Sequence, residues 1–478
     1  MTSPTDTDTA ADSAVLEQLA TAVGAANVIT DEADKALFLH ELRDLYHGKT
    51  RAVIRPGSTD EVAAVMRIAS ENNLTIVPQG GNTGLVGGQT PFESGHEYVL
   101  SLTRMNRIRA LDTDGNTITV EAGAVLETVQ NAARDAGRLF PLSLGSEGSC
   151  TIGGNLATNA GGTAVLAYGN MRELTLGLEV VLSDGSVWEG LRALRKDNTG
   201  YDLKDLFIGS EGTLGIITAA VLKLFPLPRA TATAFIGLPS PADALALLAT
   251  AREAVGPALT AFEIIPRIGL DFVLTHAPAT RDPLGEEHPW YVLLELSSGV
   301  EDTLDETLEA ILGAGYEAGQ VSDAAIAKSE GEARELWRLR MLLSEVQRHE
   351  GGSIKHDIAV PVSRVPQFIR EASALVREMV PGCRPVPFGH LGDGNVHFNV
   401  SQPVDMDKAA FLDQWERIAE AVHGLTLSMG GTVSAEHGIG RMKRDLLART
   451  KSPVEMELMR RIKLVLDPRG TLNPGKVL

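Results

Sequence analysis

The chain has 478 residues, 44% of them apolar, and carries 43 Lys and Arg against 62 Asp and Glu for a formal charge of −19. That length exceeds one ordinary domain and allows two or three, each with its own core, while the composition excludes wholesale disorder and fibrous architectures. The acidic balance argues against a nucleic-acid surface and a polybasic membrane patch, and at first reading also against an anionic substrate.

Residues 1–11 are rich in Thr and Asp and lack the basic and apolar regions of a secretory signal, so they read as a frayed tail. No run of about 18 apolar residues is present to span a bilayer. The two cysteines, Cys150 and Cys383, form no C-x-x-C pair. They offer neither a disulfide framework nor a thiolate metal cage, which points to a reducing compartment and a cytoplasmic location, or to the mature part of an organellar enzyme.

Along the chain, Ser58 and Thr59 with acidic residues behind them predict a helix over 59–72, and a second helix is expected over 125–136. Short β-branched strands at 117–120 and 178–182 lie next to the turn signals Asp114-Gly115 and Asp184-Gly185. Two prolines at 226 and 228 mark a boundary, after which glycine thins out. Beyond it, helices are expected over 241–255, 302–313 and 333–348, with a strand over 290–296. The fold class is therefore α+β. Its expected parts are a tail and helical lead-in (1–47), a ligand-wrapping domain (48–228), a smaller sheet covered by helices (229–430) and a C-terminal segment (431–478).

The first domain carries three glycine-rich loops. Residues 78–88 read PQGGNTGLVGG directly after the apolar Leu74 to Val77; a second cluster runs from Gly145 to Gly162, and a third is Gly209 to Gly215. Such backbones turn with positive φ and bring their N–H groups close to a ligand, which suits a pyrophosphate. Each cluster taken alone is equally an ordinary tight turn; three in one domain favour a ligand. Neither G-x-G-x-x-G after a strand nor a Walker A sequence occurs, so the common nicotinamide and P-loop signatures are absent and a cofactor must be bound another way.

PQGGNTGLVGG, SLGSEGSCTIGGNLATNAGG, RKDNTGYDLKDLFIGSEGTLGIIT and LNPGK resemble the vanillyl-alcohol oxidase type of FAD-binding fold over nearly the whole chain from about residue 40. The resemblance implies an FAD-binding domain, a substrate (cap) domain and a C-terminal segment returning to the flavin. It nominates for the cofactor Gln79, Gly80, Gly81, Asn82, Thr83, Gly84, Gly145, Gly153, Gly154, Asn155, Asn159, Gly161, Gly162, Gly215, Ile216 and Asn473. Some relatives tether flavin through a histidine in the first loop; Asn82 stands there, so non-covalent FAD is expected.

Residues 388–399 read FGHLGDGNVHFN. A turn at Gly392-Asp393-Gly394 closes a hairpin that brings His390 and His397 together and sets Asn399 on the face of His397. The stretch SAEHGIG adds Glu436 and His437. Two His and one carboxylate with an open position form the ligand set of a catalytic Zn²⁺ site, although an isolated His is more often a hydrogen-bonded structural residue. HLGDGNVH and SAEHGIG resemble the metal motifs of FAD-dependent D-2-hydroxyacid dehydrogenases, a likeness that makes His390, His397 and Glu436 ligands of Zn²⁺ or another divalent ion and His437 the base. The chemistry agrees. Zn²⁺ lowers the pKa of bound water by about nine, roughly 12 kcal/mol, so a bound α-hydroxyl becomes acidic enough for an imidazole to deprotonate.

Arg340 and Ser344 lie four apart on the expected helix, and Lys355 follows the Gly351-Gly352 turn on an expected strand. Spacing alone also fits a solvated helix face. In D-2-hydroxyglutarate dehydrogenases an Arg, a hydroxyl residue four later and a Lys fifteen after the Arg bind the distal carboxylate, and this chain matches with Ser in place of the expected Thr. The resemblance thus implies an FAD- and metal-dependent oxidation of D-2-hydroxyglutarate to 2-oxoglutarate, with D-lactate or D-malate as alternative substrates; hydride transfer to the flavin N5 is favoured, with a carbanion route as the alternative. It further implies an electron-transfer flavoprotein or other redox acceptor, and a homodimer. A flavin-free zinc hydrolase and a non-catalytic flavin-binding module are the readings from other classes. The charge of −19 then belongs to the surface, while Arg340, Lys355, His437 and the metal supply local cations.

Overall fold

The computed structural model describes residues 4–300 and 304–478. The chain divides into two compact units, one made of residues 1–161, 170–226 and 436–478, the other of 162–169 and 227–435.

The first unit contains a four-stranded sheet in the order Val28–Ile29, Val53–Ile54, Glu97–Ser101, Thr75–Gln79, and a five-stranded antiparallel sheet in the order Ile108–Asp112, Thr117–Glu121, Ile216–Lys223, Thr175–Val181, Val187–Gly190. The helix Thr59–Asn72 begins where expected because the Ser58 side chain accepts the Glu61 N–H, and it ends at Asn73 in the left-handed region, φ 53°. Its buried stripe of Val62, Val65, Met66 and Ala69 packs with Ile54, Ile76 and Leu100. The expected hairpin turns at Asp114-Gly115 and Asp184-Gly185 are present between paired strands. The frayed tail, by contrast, is corrected from Pro4 onward: Pro4–Val23 is one helix, and Val15, Leu19 and Val23, spaced four apart, sink into the core. The polar composition of the first residues conceals the stripe of Val15, Leu19 and Val23 that follows. Met1–Ser3 lie outside the described residues.

The second unit is built on a seven-stranded antiparallel sheet in the order Asp323–Ile326, Ala230–Leu238, Trp290–Ser298, Leu259–Pro266, Arg384–His390, Asn395–Ser401, Ser353–Ala359. Strand alternation sends Ala232, Ala234, Ile236, Phe262, Ile264, Val292, Leu294, Ile354, Val396 and Phe398 to one face. There they meet the helices Pro241–Val255, Leu304–Glu317, Val365–Met379 and Trp415–Ser428. The opposite face carries Phe235, Ile265, Tyr291, Leu293, Val386 and Phe388 under the helices Arg267–His276 and Glu330–Met341. Helix Pro241–Val255 matches its expected range, capped by Ser240 with proline in the first turn. The helix expected over 302–313 is Leu304–Glu317, with its expected first residues outside the described range.

One expected helix is corrected. Residues 333–348 do not form a single helix: Glu330–Met341, capped by Ser329, ends before Leu342, and a separate turn of helix spans Leu343–Val346. Arg340 and Ser344 therefore stand on two elements. Among the described residues, no helix is long and apolar enough to cross a membrane.

Candidate active site

In the first unit the glycine loops pack against one another. A Cβ on Gly80 would lie 2.3 Å from Thr151 Oγ1, and one on Gly81 would lie 2.1 Å from the Ser149 carbonyl oxygen, so only glycine lets these backbones approach. Asn82 sits at φ 55° and donates through Nδ2 to the carbonyls of His40 (2.8 Å) and Leu37 (3.3 Å). Its Oδ1 and the Thr151 hydroxyl are buried with no hydrogen-bond partner among the described residues. Buried polar atoms of this kind, set among glycine-rich loops, fit a ligand rich in hydroxyl and amide groups such as FAD.

The other nominated residues divide by role. Gln79 Nε2 ties the carbonyls of Phe38 (3.0 Å) and Gln89 (3.1 Å). Asn159, at φ 52°, accepts the Arg172 N–H at 2.9 Å. Gly153 and Gly215 have packing reasons to be glycine, since a Cβ would lie 2.7 Å from that of Ala122 and 2.6 Å from Val180 Cγ1; Ile216 is itself a core residue. Gly145 has open space around it, and Gly162 belongs to the second unit. Asn473 Nδ2 bridges the carbonyls of Gly88 (2.9 Å) and Glu211 (3.0 Å), joining the first loop to the third.

In the second unit the nominated side chains converge on one sheet face. His390 ends its strand, Asp393 accepts the Asn395 N–H in the turn (3.0 Å), and Gly394 at φ 87° lets the strand return. This is the expected hairpin. The rings of His390 and His397 lie 5.6 Å apart, centroid to centroid, edge to face. His397, Asn399, Lys355 and Asp357 share the face of Val386 and Phe388, with Lys355 directly opposite Asn399 and Asp357 opposite His397. Lys355 Nζ reaches the Ser344 carbonyl (3.2 Å), and Gln347, 1% exposed, accepts from Asn399 Nδ2 (3.0 Å).

Three residues that carried no motif complete this face. Glu263 Oε1 accepts from His390 Nδ1 at 2.7 Å, and its Oε2 accepts from Arg340 Nε at 2.8 Å. Burial pushes the Glu263 carboxyl up, but the hydrogen bonds from His390 and Arg340, together with the Arg340 charge, prevail and hold it below the ordinary carboxylate range. Glu295, on the neighbouring strand, is driven the other way by burial, its partners Trp337, Thr233 and Thr260 being neutral. Asp357 Oδ1 lies 4.0 Å from His397 Nδ1 and accepts from Asn395 Nδ2 at 3.1 Å. The available signal for Glu263 and Glu295 was a lone acid inside an apolar strand.

Glu436 and His437 are half-buried and open the C-terminal segment of the first unit. The chain leads to them from the sheet edge, where Thr432 pairs with Ala359. The donor chemistry fits a divalent metal: an ionised Glu263 can only accept, so His390 carries its hydrogen on Nδ1 and keeps the lone pair on Nε2.

Residues 50–190 match the FAD binding domain, and residues 227–477 match the FAD linked oxidases C-terminal domain. The chain belongs to the FAD-dependent D-2-hydroxyacid dehydrogenases of the vanillyl-alcohol oxidase and p-cresol methylhydroxylase flavoprotein family. It is an oxidoreductase. It is 40% identical to the mitochondrial D-2-hydroxyglutarate dehydrogenase of Bos taurus, covering 90% of this chain and 77% of that protein. Identity is also 40% with D-2-hydroxyglutarate dehydrogenase of Xanthomonas citri pv. viticola, over 95% of both chains. A putative mitochondrial D-lactate dehydrogenase of Schizosaccharomyces pombe is 35% identical, covering 94% of this chain and 85% of its own. The fold matches p-cresol methylhydroxylase with TM-score 0.79 at 16% identity, covering 98% and 97% of the two chains.

Proposed function

We propose that this protein oxidises D-2-hydroxyglutarate to 2-oxoglutarate, with FAD held non-covalently by the glycine loops and a divalent metal, Zn²⁺ by preference, held by His390, His397 and Glu436. The observation that carries the reading is the single sheet face on which Arg340, Lys355 and Asn399 accompany the two histidines. When bound, the flavin supplies a hydride acceptor at N5 and the metal supplies the charge that acidifies the α-hydroxyl.

The protein's own residues do the rest. Arg340 and Lys355 attract the distal carboxylate; Ser344 and Asn399 orient it by hydrogen bonds. His437 takes the hydroxyl proton as Cα–H is lost. The helices over the sheet face keep Arg340 and Asn399 out of bulk water, so the Arg340 charge acts more strongly than it would in water. The electrons pass to an external acceptor, for which an electron-transfer flavoprotein is our choice, from a homodimer in a reducing, cytoplasmic setting that suits the buried free thiols of Cys150 and Cys383.

D-lactate is the second reading, favoured by the name of the fission-yeast relative; D-malate shares the second carboxylate with D-2-hydroxyglutarate and is also a candidate. Mixing the enzyme anaerobically with a panel of D-2-hydroxyacids tests all three. D-2-hydroxyglutarate should bleach the bound flavin fastest, and a chelator should suppress the bleaching. Faster bleaching by D-lactate would transfer the assignment, and no bleaching by any acid would end it.

A further inference from the structure

We propose that Glu263 is the positioning residue of the site, one carboxylate that sets both the metal-ligating histidine and the substrate-binding arginine. Its two oxygens are divided between two partners, Oε1 accepting from His390 Nδ1 (2.7 Å) and Oε2 from Arg340 Nε (2.8 Å), and the residue is 1% exposed. His390 is 7% exposed and Arg340 5%. The three form a chain of charge-assisted hydrogen bonds centred on the carboxylate, within one unit.

The strand explains how Glu263 comes to be there. Leu259–Pro266 is buried throughout and otherwise apolar apart from Thr260. Register places Glu263 opposite His390 across the sheet, on the face that Arg340 covers from its helix. A buried ion contributes little to stability compared with an apolar residue of similar volume, so stability alone is a weak reason for an acid at this position.

Position supplies a stronger reason. With Nδ1–H held by a carboxylate, the His390 ring is fixed in one tautomer and one orientation, which makes Nε2 the nitrogen that would ligate a cation. At Arg340 the carboxylate uses Nε–H and leaves the Nη1/Nη2 edge outside that contact. The Phe388 ring, whose centroid lies 5.0 Å from the guanidinium carbon, flanks the group. One residue thereby couples the metal end of the site to the carboxylate end.

This inference rests on the reading of His390 as a ligand, and the test separates the two. Zn²⁺ affinity is measured on the purified flavoprotein by competition with a fluorescent chelator, alongside kcat and KM for D-2-hydroxyglutarate. Glu263→Gln, which still fits but lacks the charge and offers one acceptor oxygen, should weaken Zn²⁺ binding about ten- to a hundredfold and raise KM about tenfold, with FAD content unchanged. Glu263→Asp keeps the charge and should fall between Gln and wild type; it decides alone if the Gln variant does not fold. Wild-type Zn²⁺ affinity in these variants, while His390→Ala abolishes binding, would overturn the positioning role. Binding unchanged by His390→Ala would instead overturn the ligand reading on which it stands.

Discussion

Lys355 donates its Nζ to the backbone carbonyl of Ser344 at 3.2 Å, tying the outermost strand of the second unit's sheet to the short helical turn that follows Arg340. The contact survives the break in the helix at Leu342 because it uses the main chain of Ser344. Replacing Lys355 by Ala should therefore remove one cation from the distal carboxylate and loosen this turn. The expected loss is roughly 2–4 kcal/mol in kcat/KM for D-2-hydroxyglutarate and far less for D-lactate, which has no second carboxylate. Steady-state kinetics with both acids checks this; equal losses would take Lys355 out of the distal pocket.

Gly145 separates a cofactor role from a packing role. Nothing lies within 4 Å of a Cβ built on it, whereas one on Gly81 would strike the Ser149 carbonyl. Gly81→Ala should lower both the thermal midpoint and the FAD content, because backbone must move to admit the methyl group. Gly145→Ala should leave the apoprotein's midpoint unchanged and lower FAD affinity alone. Absorbance near 450 nm relative to 280 nm and thermal scans of the stripped protein distinguish the two. Unchanged FAD affinity in Gly145→Ala would remove that position from the cofactor site.

What was legible in the sequence follows from where the physics is local. Ser58 and Ser240 cap their helices with their own side chains, and Gly394 has the positive φ that its turn demands, so these elements could be read from a few adjacent residues. Motif spacing likewise brought His390 and His397 together. The break at Leu342 was hidden, since neither glycine nor proline marks it and the buried apolar stripe continues through Leu339, Leu343 and Val346. Glu263 was hidden for another reason. Its meaning depends on partners 77 and 127 residues away, and nothing in its own strand announces them.

Glu211 gives the first unit a pH dependence. Its carboxylate accepts the N–H groups of Ile439 (2.6 Å) and Gly440 (2.7 Å), yet burial outweighs these bonds and the nearby Lys443 and pushes its pKa up to about 7. A carboxyl whose folded pKa is raised binds its proton more tightly in the native state. The stability it contributes is thus fully present below about pH 4.5 and is lost as pH rises through about 7, on the order of 3 kcal/mol in all. Glu211→Gln cannot ionise and should flatten the dependence of the thermal midpoint between pH 5 and 8. Scanning calorimetry at four pH values would show it; an unaltered slope would assign the dependence to other groups.

The closing stretch LNPGK is anchored by a buried charge pair. Lys476, 1% exposed, places its Nζ 3.0 Å from Glu97 Oε1 and 3.9 Å from the centroid of the Phe92 ring, and burial lowers its pKa. Glu97 also accepts the Phe92 N–H, so the pair joins the C-terminus to the four-stranded sheet. Removing one partner leaves the other charge without compensation in a low-dielectric site, a loss of about 3–5 kcal/mol. Lys476→Met should therefore lower the thermal midpoint by roughly 5–15 °C. The double variant Glu97→Leu/Lys476→Met should recover most of that loss, because both desolvation costs vanish together while only the Phe92 N–H loses its acceptor. A double-mutant cycle measures the coupling directly, and additive losses would mean that the two charges are solvated independently.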